Sequence, residues 1–185
     1  MTSRAALRPL AATFALAGLL AACAGTSGGG IGVTTGFSLV TFKAAQRKAA
    51  PAFSGTTLRG EQPISSSILS DKVAVVNFWG SWCGPCLREQ PGLEALSKEY
   101  TSKPVQFLGI NTRRDQRAAA LAFVDQFNVS YPSVFNPDSS IAYAFRVRFM
   151  PATFVIDRKG KIAAEFIGAI QSMSELRALI DSELT

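Results

Sequence analysis

VAVVNFWGSWCGPC, residues Val73–Cys86, is the stretch on which the fold turns. Val73, Val75, Val76 and Phe78 make a β-branched and aromatic run suited to a buried strand. It ends in Trp79-Gly80-Ser81-Trp82, and Cys83-Gly84-Pro85-Cys86 follow at once. Beyond them Leu87, Leu93, Leu96 and Tyr100 recur at helical spacing, which predicts a helix over 84–100 kinked by Pro91. Two thiols separated by two residues, at a strand-to-helix junction, suit reversible disulfide chemistry. The helix start directs unpaired N–H groups and the positive dipole end at the Cys83 sulfur. Cys83 should therefore be the more acidic and the more exposed thiol. A stapling bridge explains the pair less well, because loop-closure entropy grows with loop length and this loop is very short.

Composition narrows the alternatives. A chain of 185 residues with 48% apolar content holds one domain with a sizeable core, plus an appendage. The net charge of +6 is scattered, and pairs such as Arg113-Arg114 and Arg158-Lys159 fit solvated loops better than a nucleic-acid patch. Histidine is absent, which removes Ser-His-Asp and Cys-His catalysis and His-ligated metals. Three cysteines, Cys23, Cys83 and Cys86, cannot make a four-thiolate zinc site within one chain. No metal site is expected.

In chain order, residues 1–22 have the make-up of an export signal: Arg4 and Arg8, then an apolar run from Leu10 to Ala22. Leu20-Ala21-Ala22-Cys23 resembles the bacterial lipobox, which implies that Cys23 is acylated and carries a lipid anchor. Residues 23–51, with Gly28-Gly29-Gly30 among Ser and Thr, are expected to be a flexible linker. The folded domain is expected over 52–185. Its predicted elements are a small hairpin around Arg59-Gly60-Glu61, strands over 72–78, 105–111 and 133–135, and helices over 84–100, 117–127 and 139–145. A hairpin over 153–166 and a helix over 172–184 close it. That alternation predicts an α/β fold, a central mixed sheet with helices on both faces and an N-terminal hairpin extension.

Trp82-Cys83-Gly84-Pro85-Cys86 is similar to the active site of thioredoxins. Pro91 matches their helix-kinking proline, and Met150-Pro151-Ala152-Thr153-Phe154 resembles the segment that holds their cis-proline beside the disulfide. The TlpA/ResA-like branch of membrane-tethered thiol–disulfide oxidoreductases is nearer still, over about Phe53 to Leu184. Val75-Val76-Asn77-Phe78-Trp79, Gly109-Ile110-Asn111, Tyr131-Pro132, Asn136-Pro137-Asp138 and Phe154-Val155-Ile156-Asp157 carry that similarity. Two departures stand out. Asn77 occupies the position of thioredoxin's buried, proton-handling aspartate, and an amide cannot do that work. The acceptor is then water, or Glu89 if its face of the helix turns inward; a solvent-facing Glu89 is the default expectation. Ala152 follows Pro151 where some cytochrome-maturation relatives carry an acid. The peroxiredoxin pattern Pro-xxx-Thr/Ser-xx-Cys fits neither Cys83 nor Cys86.

The resemblance implies an exported, lipid-anchored thiol–disulfide oxidoreductase in which Cys83 attacks and Cys86 resolves. Trp82, Met150 and Pro151 would frame the substrate groove. No separate cofactor is needed, because the Cys83–Cys86 bridge itself carries two electrons. Implied partners are exported thiol proteins of the apocytochrome c kind and a membrane electron donor; nucleic acid is not among them, and a monomer is expected. Two alternatives stand beside this: a disulfide-forming oxidase of exported proteins, and a copper(I) carrier using both thiols.

Overall fold

The computed structural model describes residues Ser38–Thr185. The expected export signal, Cys23 and the expected linker up to residue 37 lie outside the described residues. Strands are β1 (Ser38–Thr41), β2 (Ser54–Thr57), β3 (Pro63–Ser65), β4 (Val73–Trp79), β5 (Val105–Thr112), β6 (Ser133–Asn136), β7 (Ala152–Ile156) and β8 (Ile162–Ile167). Helices are α1 (Gly84–Glu99), α2 (Arg117–Gln126), α3 (Ser140–Ala144) and α4 (Met173–Leu184). Short 3₁₀ turns occupy Ala44–Gln46 and Ser66–Leu69.

One eight-stranded sheet runs β1-β8-β7-β4-β5-β6-β2-β3. β4, β5 and β6 are parallel neighbours, whereas β7 and β8 add antiparallel on the other side of β4. Every residue of β4 is buried, which is why its sequence is a continuous apolar run rather than an alternation. Val73 and Val75 face Leu93 and Leu96 of α1, Tyr100 just beyond it, and Leu176 and Ile180 of α4. Ala74, Val76 and Phe78 face the opposite way, with Ile141 and Ala142 of α3, Phe145 and Phe154. Each large side chain so buried contributes roughly 1.5–3 kcal/mol. α1 runs unbroken past Pro91. The mixed sheet, the covering helices and the β2–β3 hairpin agree with the expected fold class.

The boundary placed at residue 52 needs correction. Ser38–Thr41, within the expected linker, pairs antiparallel with β8 from Ser38↔Ile167 to Thr41↔Ala164. Ala49 bridges Lys161. Arg47 makes a two-pronged ion pair with Glu183, at 2.6 and 2.7 Å, and reaches Asp157 at 3.1 Å. β1 is a short apolar run of which only Leu39 packs against the core, and residues 43–51 return to small and basic side chains, so no sustained apolar period marks these residues. Main-chain pairing that caps the open edge of β8, together with a charge cluster, holds them in place.

Candidate active site

β4 delivers the chain to the sheet end where β5 finishes and β7 begins: Trp79 lies opposite Asn111 and Phe78 opposite Ala152. The turn that follows is held from the side by Asp115, which is buried. Its carboxylate accepts from the Ser81 N–H and hydroxyl, both at 2.6 Å, from the Asn111 amide at 2.7 Å and from the Gln116 N–H at 2.9 Å. The Trp82 indole folds back over Gly80, where a Cβ would meet the ring at 2.9 Å. Only glycine allows that close approach.

Cys83 is the N-cap of α1, and its Sγ accepts from the Cys86 N–H at 3.3 Å. Pro85 sits in the first turn, where a helix has no use for its missing N–H. Cys83 and Cys86 are bridged, with Cα atoms 5.2 Å apart. The expected difference in exposure and acidity belongs to the free thiols of the reduced protein; in the bridged form both cysteines are buried, at 3% and 1% exposure. They pack with Trp79, Phe123 and Val124, and Met150 lies against the same cluster. The Met150–Pro151 peptide is cis. Trp82, at 56%, is exposed beside the bridge. Cys83, Cys86, Trp82 and the Met150–Pro151 turn thus gather at one end of the sheet. Cys23 is outside the described residues.

Behind the bridge lies Glu89, and here the default expectation fails. Its exposure is 5%. Oε1 accepts from Asn77 Nδ2 at 2.9 Å and Oε2 from the Ile170 N–H at 3.1 Å. Asn77 also donates to Thr153 Oγ1 at 2.9 Å. Burial pushes the Glu89 carboxyl up to about 7, although the bonds from Ile170 and Asn77 favour its charged form. A groove lined by Pro85, Arg88, Gly92, Ile170 and Met173 borders it. A carboxyl with that titration range can take up and return a proton near neutral pH. The signal is present in the sequence: Cys86, Glu89, Leu93, Leu96 and Tyr100 follow a 3-4-3-4 spacing along one buried stripe. Asp115 carries no such signal, since nothing local marks a residue that serves a turn 34 positions away.

A bridged Cys-x-x-Cys at a helix N-terminus, beside a cis-proline turn in this sheet, defines a thioredoxin-fold thiol–disulfide oxidoreductase. The Redoxin family model matches residues 44–180, and the chain belongs to that family. It is 32% identical to the thiol-disulfide oxidoreductase ResA of Bacillus cereus over 121 residues, 65% of this chain and 69% of that protein. Among solved structures, a DsbF homologue from Corynebacterium diphtheriae aligns with a TM-score of 0.71 at 27% identity, covering 83% of this chain and 96% of that one. A secreted thiol-disulfide isomerase from Corynebacterium glutamicum aligns with a TM-score of 0.70 at 29% identity, covering 77% and 92%.

Proposed function

We propose that this oxidoreductase is exported, held to the membrane through a lipid on Cys23, and works as a reductase of disulfides in exported proteins of the apocytochrome c kind. The observation that carries the catalytic part is the Cys83–Cys86 bridge with Glu89 buried one turn behind Cys86. Support for the export part is the positive, apolar start ending in Leu20-Ala21-Ala22-Cys23.

In the reduced protein the Cys83 thiolate, stabilised by the α1 N-terminus, attacks one sulfur of a substrate disulfide. That bond breaks, and the departing substrate thiolate takes a proton from water. Glu89 then accepts the Cys86 proton, through water if needed, and the Cys86 thiolate attacks Cys83. The mixed disulfide breaks, and the second substrate thiolate is protonated in turn. The substrate has gained two electrons and two protons, and the protein is left with the Cys83–Cys86 bridge. A membrane electron donor returns both to the protein. Trp82, Met150 and Pro151 frame the approach; Pro151 offers no N–H to compete for the substrate backbone. No separate cofactor enters this scheme, and the protein acts as a monomer.

The reducing direction is favoured by Gly84-Pro85 between the cysteines, the dipeptide of thioredoxin, whose couple lies near −270 mV against roughly −120 mV for DsbA. No imidazolium exists in this chain to stabilise the Cys83 thiolate further. Equilibration with glutathione buffers tests the direction: a couple below about −200 mV is expected, and one as oxidising as DsbA's would replace the reductase with an oxidase. Cys86→Ser tests the substrate class. It should accumulate mixed disulfides through Cys83 with exported thiol proteins, identified by mass spectrometry. Accumulation with cytoplasmic proteins alone would overturn the assignment.

A further inference from the structure

The loop after β5 touches both arms of the site. Asp115 holds Ser81 on the cysteine side. On the other side, Arg113 Nη2 donates to the carbonyls of Val147 at 3.2 Å and Arg148 at 3.0 Å, just ahead of Met150-Pro151. Arg113 and Arg114 sit consecutively in the left-handed region, with φ of 61° and 57°. Side chains there meet a steric penalty that glycine or asparagine would lessen. Two arginines in strained backbone at the edge of a site point to a use for their charge.

The outward-facing charge of this rim is predominantly positive; the exposed Asp138, on the loop whose Pro137 carbonyl accepts from the Arg114 N–H, is taken up by hydrogen bonds from Ser140. Arg88, Arg113, Arg114 and Arg148 are exposed, and none has a carboxylate in ion-pairing distance among the described residues. Away from the rim, Arg47, Arg59, Arg117 and Arg177 have one, while Arg146 and Arg158 have none among the described residues. What sets the rim apart is that its arginines gather beside the cysteines and the Met150–Pro151 turn. Two other carboxylates beside the rim, Glu89 and Asp115, are buried and engaged in hydrogen bonds. Two exposed aromatics accompany the arginines: Trp82 next to Cys83, and Phe149, at 65%, next to Met150.

We propose that this rim selects protein substrates whose disulfide is flanked by acidic residues, with Trp82 and Phe149 gripping apolar side chains between them. Arg113-Arg114, expected from the sequence to be plain solvated loop, thereby becomes part of the recognition surface. The inference rests on the oxidoreductase function and adds a substrate class to it. Complementary charge acts on encounter, so it should appear in the bimolecular rate and be screened by salt.

The test uses the reduced protein and two disulfide-bonded peptides, one with Asp and one with Lys beside each cysteine, alongside uncharged hydroxyethyl disulfide. At low ionic strength the acidic peptide should be reduced about tenfold or more faster than the basic one. At 1 M salt, with a Debye length of about 3 Å, the two rates should converge. The double variant Arg114→Glu/Arg148→Glu should reverse the preference. The ratio of the two rates is internal to each protein, so a general loss of activity cancels. Equal rates on both peptides while hydroxyethyl disulfide is still reduced would overturn the docking inference alone. Failure on hydroxyethyl disulfide as well would overturn the underlying function. Equal peptide rates, combined with retention on phosphatidylglycerol vesicles that the double variant loses, would overturn it in favour of a membrane-facing rim.

Discussion

Nδ2 of Asn77 lies 2.9 Å from Oε1 of Glu89. An amide on β4 and a carboxyl on α1 thus share the space behind the bridge, and the proton-bearing group sits on the helix rather than on the strand. Asn77 cannot hold the proton itself, but it orients the group that can, while Thr153 fixes Asn77 from β7. A carboxyl confined this way is costly to ionise, and its consequences are measurable.

The first is pH dependence. The Glu89 carboxyl is raised from 4.5 to about 7. Between those values the folded state holds a proton that the unfolded state has lost, so stability is fully present below 4.5 and declines as pH rises from there through about 7. The loss is on the order of 3 kcal/mol. Glu89→Gln should flatten this slope, because an amide does not titrate, and a turned-over Asn77 amide can accept from the new side chain and keep the site packed. Urea unfolding of the bridged protein at pH 5 and pH 8, wild type against variant, measures the difference. Equal slopes would mean that Glu89 ionises freely.

Asp115→Asn keeps the shape but replaces one accepting oxygen with a donor facing the Ser81 turn. A cost of about 1–3 kcal/mol is expected, with slower exchange at the cysteines. Ser81→Ala removes only the hydroxyl bond and should cost about 1 kcal/mol. Denaturation midpoints and turnover on a protein disulfide separate the two. Normal turnover in Asp115→Asn would show that the turn holds its place unaided.

Arg47→Ala leaves Glu183 and Asp157 without their shared cation. Breaking a buried pair costs roughly 3–5 kcal/mol and an exposed one up to about 1. This cluster is partly exposed, so about 1–3 kcal/mol is expected in chemical denaturation. A chain started at residue 52 should lose more, since the edge of β8 would also be uncovered.

Cys23→Ser tests the anchor. Wild-type protein should fractionate with membranes and the variant should not, and mass spectrometry of Cys23 should show an acyl adduct. Unmodified Cys23 in a soluble wild-type protein would end the lipoprotein proposal.

How much of this is legible in the sequence depends on what holds each part. β4 and α1 are plain, because they are buried by side chains whose spacing repeats. β1 and Arg47 are not, because main-chain bonds to β8 and a charge cluster hold them, and neither leaves a periodic trace. Glu89 is readable but easily overridden: a charged residue is normally assigned to solvent even when it falls on the buried stripe with Cys86 and Leu93. The Asp115–Ser81 contact joins two loops that only the parallel pairing of β4 and β5 brings together. The Trp82–Pro151 frame comes from likeness to thioredoxins, not from any pattern in the chain itself.

The near-complete enclosure of both sulfurs also insulates the couple. A small thiol drifting past the bridge finds almost no sulfur to attack, whereas a protein that settles over Trp82 and the Met150–Pro151 turn brings its own sulfur in by a defined route. Reduction of the bridge is then limited by geometry as well as by potential. The choice of electron donor falls to partners that fit.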